Sequence, residues 1–273
     1  MAGQKKADGS NYYPVGIEFS QPTISAARSM IEIKRVAGME FVEVEGGMFE
    51  MGLADLHFSQ PPHWVALSTF WMSRNPVTVN QFVQFLDSTK RDHPKSFVTD
   101  RLIDNTVPVT YVSWEDAIAF CEWFSDISNT TVTLPTEAQW EYAARGRDSR
   151  PYPWGYELPN SQLARYGQDL KAGQPVNSDL FSHVSSPFGT VSQLGNVWEW
   201  CLDMWNPYAY RLRADGNLID PIETNGEADR RVVRGSGWQA PVEHVHSAYR
   251  CRNLITFRGQ ATGFRIALRT RMT

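Results

Sequence analysis

Cysteine is scarce in this chain. Only Cys121, Cys201 and Cys251 occur, widely spaced and odd in number. They fit no zinc-binding spacing and no disulfide framework, so Cys121 and Cys201 read as small apolar packing residues. No apolar run approaches the roughly 18 residues that a membrane-spanning helix needs, and no transmembrane segment is expected. No run of Lys or Arg stands out, and 26 basic against 30 acidic residues leave a net charge of −4. That balance suggests neither a nucleic-acid footprint nor a basic membrane patch. No fixed-period repeat or low-complexity linker is visible.

What is present is ordinary globular material, with 42% apolar and 21% charged residues over 273 positions. That is enough for a substantial core. Residues 1–32, opening with the polar stretch MAGQKKADGS, read as a tail without a hydrophobic signal core. Residues 33–273 read as one domain. The 34 aromatic residues (10 Trp, 10 Tyr, 14 Phe) lie largely in Gly/Pro-punctuated stretches. Large rings can build a core where regular structure is sparse, because each buries much area.

Phe41 to Gly47 alternates apolar and polar residues and then turns, a strand and hairpin signal that Phe49 to Gly52 continues. Three short helices follow. Thr78 is placed to cap the first, with Phe82, Phe85 and Leu86 on one face. Ser113 starts the second with Asp116 at capping-box spacing, and Ala117, Phe120, Cys121 and Phe124 form its apolar stripe. Thr136 and Gln139 frame the third, and Gly146 stops it. Beyond Gly146 the helical period is lost, and loops with short strands are expected. Val232-Val233 and Phe264 to Leu268 look like strands that close a sheet.

Several segments, in order, resemble the formylglycine-generating-enzyme (sulfatase-modifying factor) family. They are Gly46 to Gly52 (GGMFEMG), Pro76 to Phe82 (PVTVNQF), Pro108 to Trp114 (PVTYVSW) and Leu134 to Gly146 (LPTEAQWEYAARG). Tyr152 to Gly155 (YPWG), Gly195 to Trp200 (GNVWEW), Val233 to Gly235 (VRG) and Gly263 to Arg265 (GFR) complete the set. Singly each is weak; the ordered series over residues 40–268 is specific. The resemblance implies an α+β, C-type-lectin-like fold, loop-rich, with antiparallel sheets and flanking helices.

The family's oxidase works through a copper-binding cysteine pair after a Gly-Gly-Ser-(aromatic) turn. The matching turn here is Arg234 to Trp238 (RGSGW), and neither cysteine follows where the pattern requires it. A soft metal site needs two thiolates or an equivalent ligand set. The chain is therefore expected not to be an enzyme and to carry no catalytic residue and no cofactor. The family's calcium site is implied only weakly, by the carbonyls of Gly195 and Val197 and the carboxylate of Glu199. Ser192 stands where the enzyme has an asparagine ligand, and Ca²⁺ wants six or more oxygens. Alternatively, Glu199 hydrogen-bonds the loop backbone.

The last part of the chain also resembles the variable proteins of diversity-generating retroelements, of the treponemal type. Arg250 lies twelve and Arg258 twenty residues after Trp238, and Gly263-Phe264-Arg265 begins at twenty-five. That frame is kept, while its filling over residues 237–262 shows no common chemistry. Lys, Met and Trp, unreachable by adenine randomisation of asparagine codons, are absent between Ala240 and Thr262; Glu243 and Gln260 do not fit that origin. The resemblance implies a non-catalytic, hypervariable binding protein at the cell surface or outside the cell, as a lipoprotein whose leader is not in this chain. Its ligand-binding surface would comprise Ala240, Pro241, His244, His246, Tyr249, Cys251, Asn253, Leu254, Thr256, Phe257, Gly259 and Ala261. The expected partner is a protein or surface ligand of unknown identity, not nucleic acid. Arg250, Arg258 and Arg265 would be scaffold, paired beneath that surface. Two other readings remain: a metal-dependent oxidase with rearranged ligands, in which His244 and His246 with Glu243 or Cys251 hold the metal, and an inactive structural relative.

Overall fold

Three helices begin on the device their sequences spell. In the computed structural model these are α1 (Val79–Thr89), α2 (Trp114–Ser128) and α3 (Glu137–Arg145). Thr78, Ser113 and Thr136 each accept the backbone N–H three residues on. The side chains of Gln81, Asp116 and Gln139 return a bond to the cap's own N–H. The reciprocal pair satisfies donors that a helix start otherwise orphans. The predicted stripes of α1 and α2 are buried and meet through rings, with Phe82 and Phe120 stacked 6.0 Å apart.

The structure describes residues 31–92, 106–171, 173–214, 216 and 218–269. The tail expected over residues 1–32 lies, up to Met30, outside the described residues.

Twelve strands are described: β1 (Ile33–Val36), β2 (Met39–Val44), β3 (Gly47–Met51), β4 (His63–Leu67), β5 (Phe70–Ser73), β6 (Val132–Thr133), β7 (Trp198–Trp205), β8 (Leu218–Ile219), β9 (Glu227–Arg234), β10 (Cys251–Leu254), β11 (Thr262–Gly263) and β12 (Ala267–Leu268). They form sheets ordered β1-β2-β5-β12-β6, β10-β9-β7-β11 and β3-β4-β8. Most pairs are antiparallel; β11 runs parallel to β7, and β8 to β4. The five-stranded sheet separates two cores by alternation. Phe41, Trp71 and Leu268 pack with α1 and α2, whereas Val42, Val44, Phe70 and Met72 pack with β3, β4 and α3. Beyond α3, Trp140 and Ala144 meet Cys201, Trp205 and Val232 in a third cluster.

Two expectations change here. The hairpin predicted from residues 41–52 does not form, because β2 and β3 enter different sheets. A Cβ on Gly46 would lie 2.6 Å from the Leu67 carbonyl oxygen and 2.7 Å from the Thr69 nitrogen. The chain therefore passes tightly against another backbone and changes sheet instead of folding back. The other is β7, an eight-residue strand in a stretch read as loops and short strands. Side chains on both of its faces are covered, so the alternation that marks a half-exposed strand is absent. Val232-Val233 lies in β9 as foreseen, whereas of the strand expected over Phe264 to Leu268 only Ala267–Leu268 is strand, as β12.

Candidate functional site

Strand β10 is the edge strand of its sheet and pairs with β9, Cys251 opposite Val233 and Asn253 opposite Arg231. Side chains alternate across a strand, so Cys251 and Asn253 share one face; Tyr249, just before the strand, packs on the same cluster as Cys251, while Arg250 and Arg252 both lie over Trp205 on the other side.

The inward face is ionic. Arg250 donates from Nε to Glu137 Oε1 (2.5 Å), from Nη2 to Glu137 Oε2 (2.9 Å) and from Nη1 to the Phe58 carbonyl (2.6 Å). Its guanidinium stacks 4.3 Å from the Tyr210 ring centroid. Arg234, aligned beside it on β9, joins Glu137 (3.0 Å) to Glu141 (2.5 Å), and Arg145 closes the chain on Glu141 (2.7 Å). All of these groups are buried. Desolvation pushes the Glu137 carboxyl upward, but the charges of Arg250 and Arg234 outweigh it and hold the group below the ordinary range. Desolvation likewise opposes ionisation of Glu141, yet Arg234, Arg145 and the Gly52 N–H bring it down to about 2. Asp203, beside them, has only the more distant Arg213 (3.8 Å) and the backbone N–H groups of Glu137 and Glu223 to favour its charged form. Burial and the Glu137 charge push it up to about 6.

Arg265 is held in the same manner. It donates from Nε (2.6 Å) and Nη2 (2.8 Å) to the two oxygens of Glu199, and to the carbonyls of Ser73, Arg74 and Val191. A planar guanidinium can tie several loop groups at once. Arg250 and Arg265 are thus scaffold, as expected. Arg258 is not beneath the surface: it is exposed and pairs with Asp116 at the start of α2.

Of the weakly implied calcium ligands, Glu199 is engaged by other side chains: its oxygens accept from Arg265 and from Trp140 Nε1 (2.7 Å), not from loop backbone. The histidines do not build a metal site with their neighbours. His246 Nδ1 accepts the Ala248 N–H (2.9 Å), while His244 stacks on Tyr249, 4.3 Å between centroids at 25°. Among the described residues no three His, Cys, Asp or Glu side chains converge to hold a metal.

The outward face is aromatic and polar. Tyr249 and His244 lean on Trp198, 6.0 and 6.4 Å away. His246 abuts Tyr152, itself stacked on Trp154 at 5.2 Å. Pro241, Leu254 (42%), Thr256 and Phe257 (43%) are exposed. His244, His246, Tyr249, Cys251, Asn253 and Gly259 are half-buried. Burial lowers the His244 pKa, and with the nearby Arg145 charge brings His246 to about 4. Burial also raises the Cys251 thiol.

Ala240 and Ala261 depart from the predicted surface, at 3% and 2% exposure. They are points where the segment is stitched down. The Ala240 carbonyl accepts from Gly167 N–H (2.9 Å), the Ala261 carbonyl from Trp198 N–H (2.7 Å). Sequence reasoning missed Trp114, Tyr152, Trp154 and Trp198 as rim residues. All lie in family motifs and were read as scaffold only.

Residues 27–270 match the sulfatase-modifying factor enzyme 1-like domain. The chain belongs to this family. Among its relatives, the formylglycine-generating enzyme of Thermomonospora curvata is 34% identical over 192 residues, covering 64% of this chain and 58% of that enzyme. The formylglycine-generating enzyme of Mus musculus is 31% identical, covering 78% and 69%. The expectation that the chain is not an enzyme is overturned by these relatives: its family is one of enzymes. The serine/threonine-protein kinase pkn1 of Chlamydia pneumoniae is 29% identical over 84% of this chain. The chain spans 38% of that protein's length.

Two solved structures share the fold. PvdO from Pseudomonas aeruginosa superposes with a TM-score of 0.76 at 20% identity, covering 89% of this chain and all of that one. Treponema denticola variable protein 1 gives 0.73 at 20% identity, with the same coverage. The domain has the α+β fold of the formylglycine-generating-enzyme type, with antiparallel sheets and flanking helices.

Proposed function

We propose that this domain binds a ligand through the outward surface of residues 237–262, the side chains of that surface being variable within a fixed frame diversified by a retroelement. The observation that carries the reading is the partition at the start of β10. Arg250 is locked into buried ion pairs, while Tyr249, Cys251 and Asn253 stay half-buried beside the exposed Leu254, Thr256 and Phe257. Exposed loop residues can change at a cost usually within about 0.5 kcal/mol, whereas buried paired charges cannot. The mixed aromatic and polar surface suits protein recognition, in which rings supply contact area and small polar groups adapt. A fold shared with a protein named as variable supports the same reading. The surface comprises Pro241, His244, His246, Tyr249, Cys251, Asn253, Leu254, Thr256, Phe257 and Gly259, and the reading extends to a location on the cell surface.

Random peptides displayed on phage provide the test. Selected peptides are expected to lose binding to the triple variant His244→Ala, Tyr249→Ala, Phe257→Ala, while its urea midpoint stays near that of the parent. Peptides that bind the triple variant equally well overturn the reading. In the genome, a reverse transcriptase gene and a near-copy of the gene's 3′ end, differing at adenines, are expected alongside.

A further inference from the structure

Arg231 differs from the arginines under the segment. It lies opposite Asn253 in the β9–β10 register, and so on the outward face rather than with Arg234 and Arg250. Its guanidinium sits 4.4 Å from the ring centroid of Trp114. Nη1 donates to the carbonyls of Ala228 (2.9 Å) and Arg230 (3.0 Å). Nε is buried with no acceptor, and no bond engages Nη2. Asp203, whose charge reaches Arg231, accepts the backbone N–H groups of Glu137 and Glu223. Glu227 pairs with Arg230 at 2.8 Å, and Asp116 pairs with Arg258. Among the described residues no carboxylate lies within ion-pair distance of Arg231. Burial pulls its pKa down, and the Asp203 charge only partly opposes this. A half-buried guanidinium in that condition is an uncompensated cation.

The platform under it is rigid. Trp114 donates its backbone N–H to Ile255 (3.0 Å) and its Nε1–H to Cys201 (3.0 Å), which fixes the ring against both the segment and β7. Stacking holds the guanidinium plane and leaves its edge for hydrogen bonding. Asn253 beside it adds a neutral amide.

We propose that Arg231 on Trp114 is a constant anchor for a carboxylate of a partner protein, an Asp or Glu side chain that docks beside Asn253. The anchor rests on the binding surface proposed above. It lies outside residues 237–262, so it stays the same while the surface around it changes. A carboxylate supplies what the site lacks, a negative acceptor for the Nη2 donors of a cation already partly stripped of water. The varying residues would then select among acidic partners instead of creating affinity from nothing.

The test uses the same displayed random peptides on the parent protein, on Arg231→Gln and on Arg230→Gln, whose wild-type arginine already pairs with Glu227. Peptides selected on the parent should be enriched in Asp and Glu over the input library. The enrichment should vanish on Arg231→Gln and persist on Arg230→Gln. For one selected peptide, changing its acidic residue to the amide should weaken binding to the parent about tenfold and leave binding to Arg231→Gln unchanged. The amide comparison on the parent keeps the question open to refutation even where Arg231→Gln folds poorly. Peptides that need Tyr249 and Phe257 yet show no acid enrichment, or that ignore the amide change, overturn the anchor and leave the binding surface standing. Peptides indifferent to the triple variant above, or no recovered peptides at all, overturn the binding surface itself.

Discussion

Between Tyr249 and Arg252, successive side chains enter two different environments. Arg250 reaches Glu137 at 2.5 Å in a site without solvent, whereas Tyr249 stacks on His244 at the surface. The two residues are neighbours in the chain at the entry to β10; only the direction of the side chain differs. Arg250 carries a charge that can exist only in a pair, because an ion left alone in the interior loses its hydration without compensation. Tyr249 instead carries an uncharged ring, half-buried against Trp198 and His244. Changes at the exposed positions that follow need not touch the ion pairs that hold the segment in place.

The comparison is broken most directly from the inside. Arg250→Ala leaves Glu137 with one fewer partner, and Arg265→Ala strands Glu199; each should cost about 3–5 kcal/mol in urea unfolding. Midpoints like the parent's would show that the inward side is no scaffold. Trp200→Ala removes a buried ring whose Nε1–H donates to the Val112 carbonyl. It should cost a similar amount, about 3–5 kcal/mol.

A smaller effect is expected at the boundary, at His246. Its folded pKa of about 4 lies below the ordinary value, so the folded state binds fewer protons than the unfolded one. Its contribution is therefore full above the unfolded pKa and shrinks as pH falls from about 6.5 toward 4. Asp203 acts in the opposite sense: its raised pKa adds stability as pH falls through about 6. Removing the histidine by His246→Ala should therefore make the protein less sensitive to acidification. Urea midpoints at pH 7 and pH 5 should shift relative to the parent by about 1 kcal/mol. An unchanged pH slope would place His246 on the freely solvated side. The smallest effect belongs to the outside. Single changes at Leu254, Thr256 or Phe257 should stay within about 0.5 kcal/mol, and a larger loss at any of them would blur the two-sided picture.

Local rules made much of the fold legible. The helix starts at Thr78, Ser113 and Thr136 obey capping geometry, which depends on a few adjacent residues. The ordered motifs carried the fold class, and the spacing from Trp238 marked Arg250 and Arg265 as framework. What escaped was set by distant partners. Gly46 redirects the chain because Leu67 and Thr69 stand in the way, and β7 hides its period because other elements cover both faces. Ala240 and Ala261 are small and lie in an irregular segment that mixes buried and exposed positions; only their backbone bonds to Gly167 and Trp198 mark them as tethers. The pairing of Glu199 with Arg265 joins residues 66 positions apart, a contact that no local pattern announces. For the same reason the activity of the enzyme family could not be settled by inspecting one missing cysteine pair.

Strand β12 lies between β5 and β6, and β6 joins its sheet only through β12. The end of the domain is thus a central plank rather than a trailing edge. A ribosome must finish residues 237–262 before that plank can be laid, so the sheet closes only after that whole segment has been made. A frameshift or an early stop within the segment yields a chain without β11 and β12. Such a product leaves Phe264 and Ile266 out of the core and the sheet open, a substrate for proteases. Folding itself then acts as a check on the reading frame, completing the sheet only when synthesis survives to the final strands.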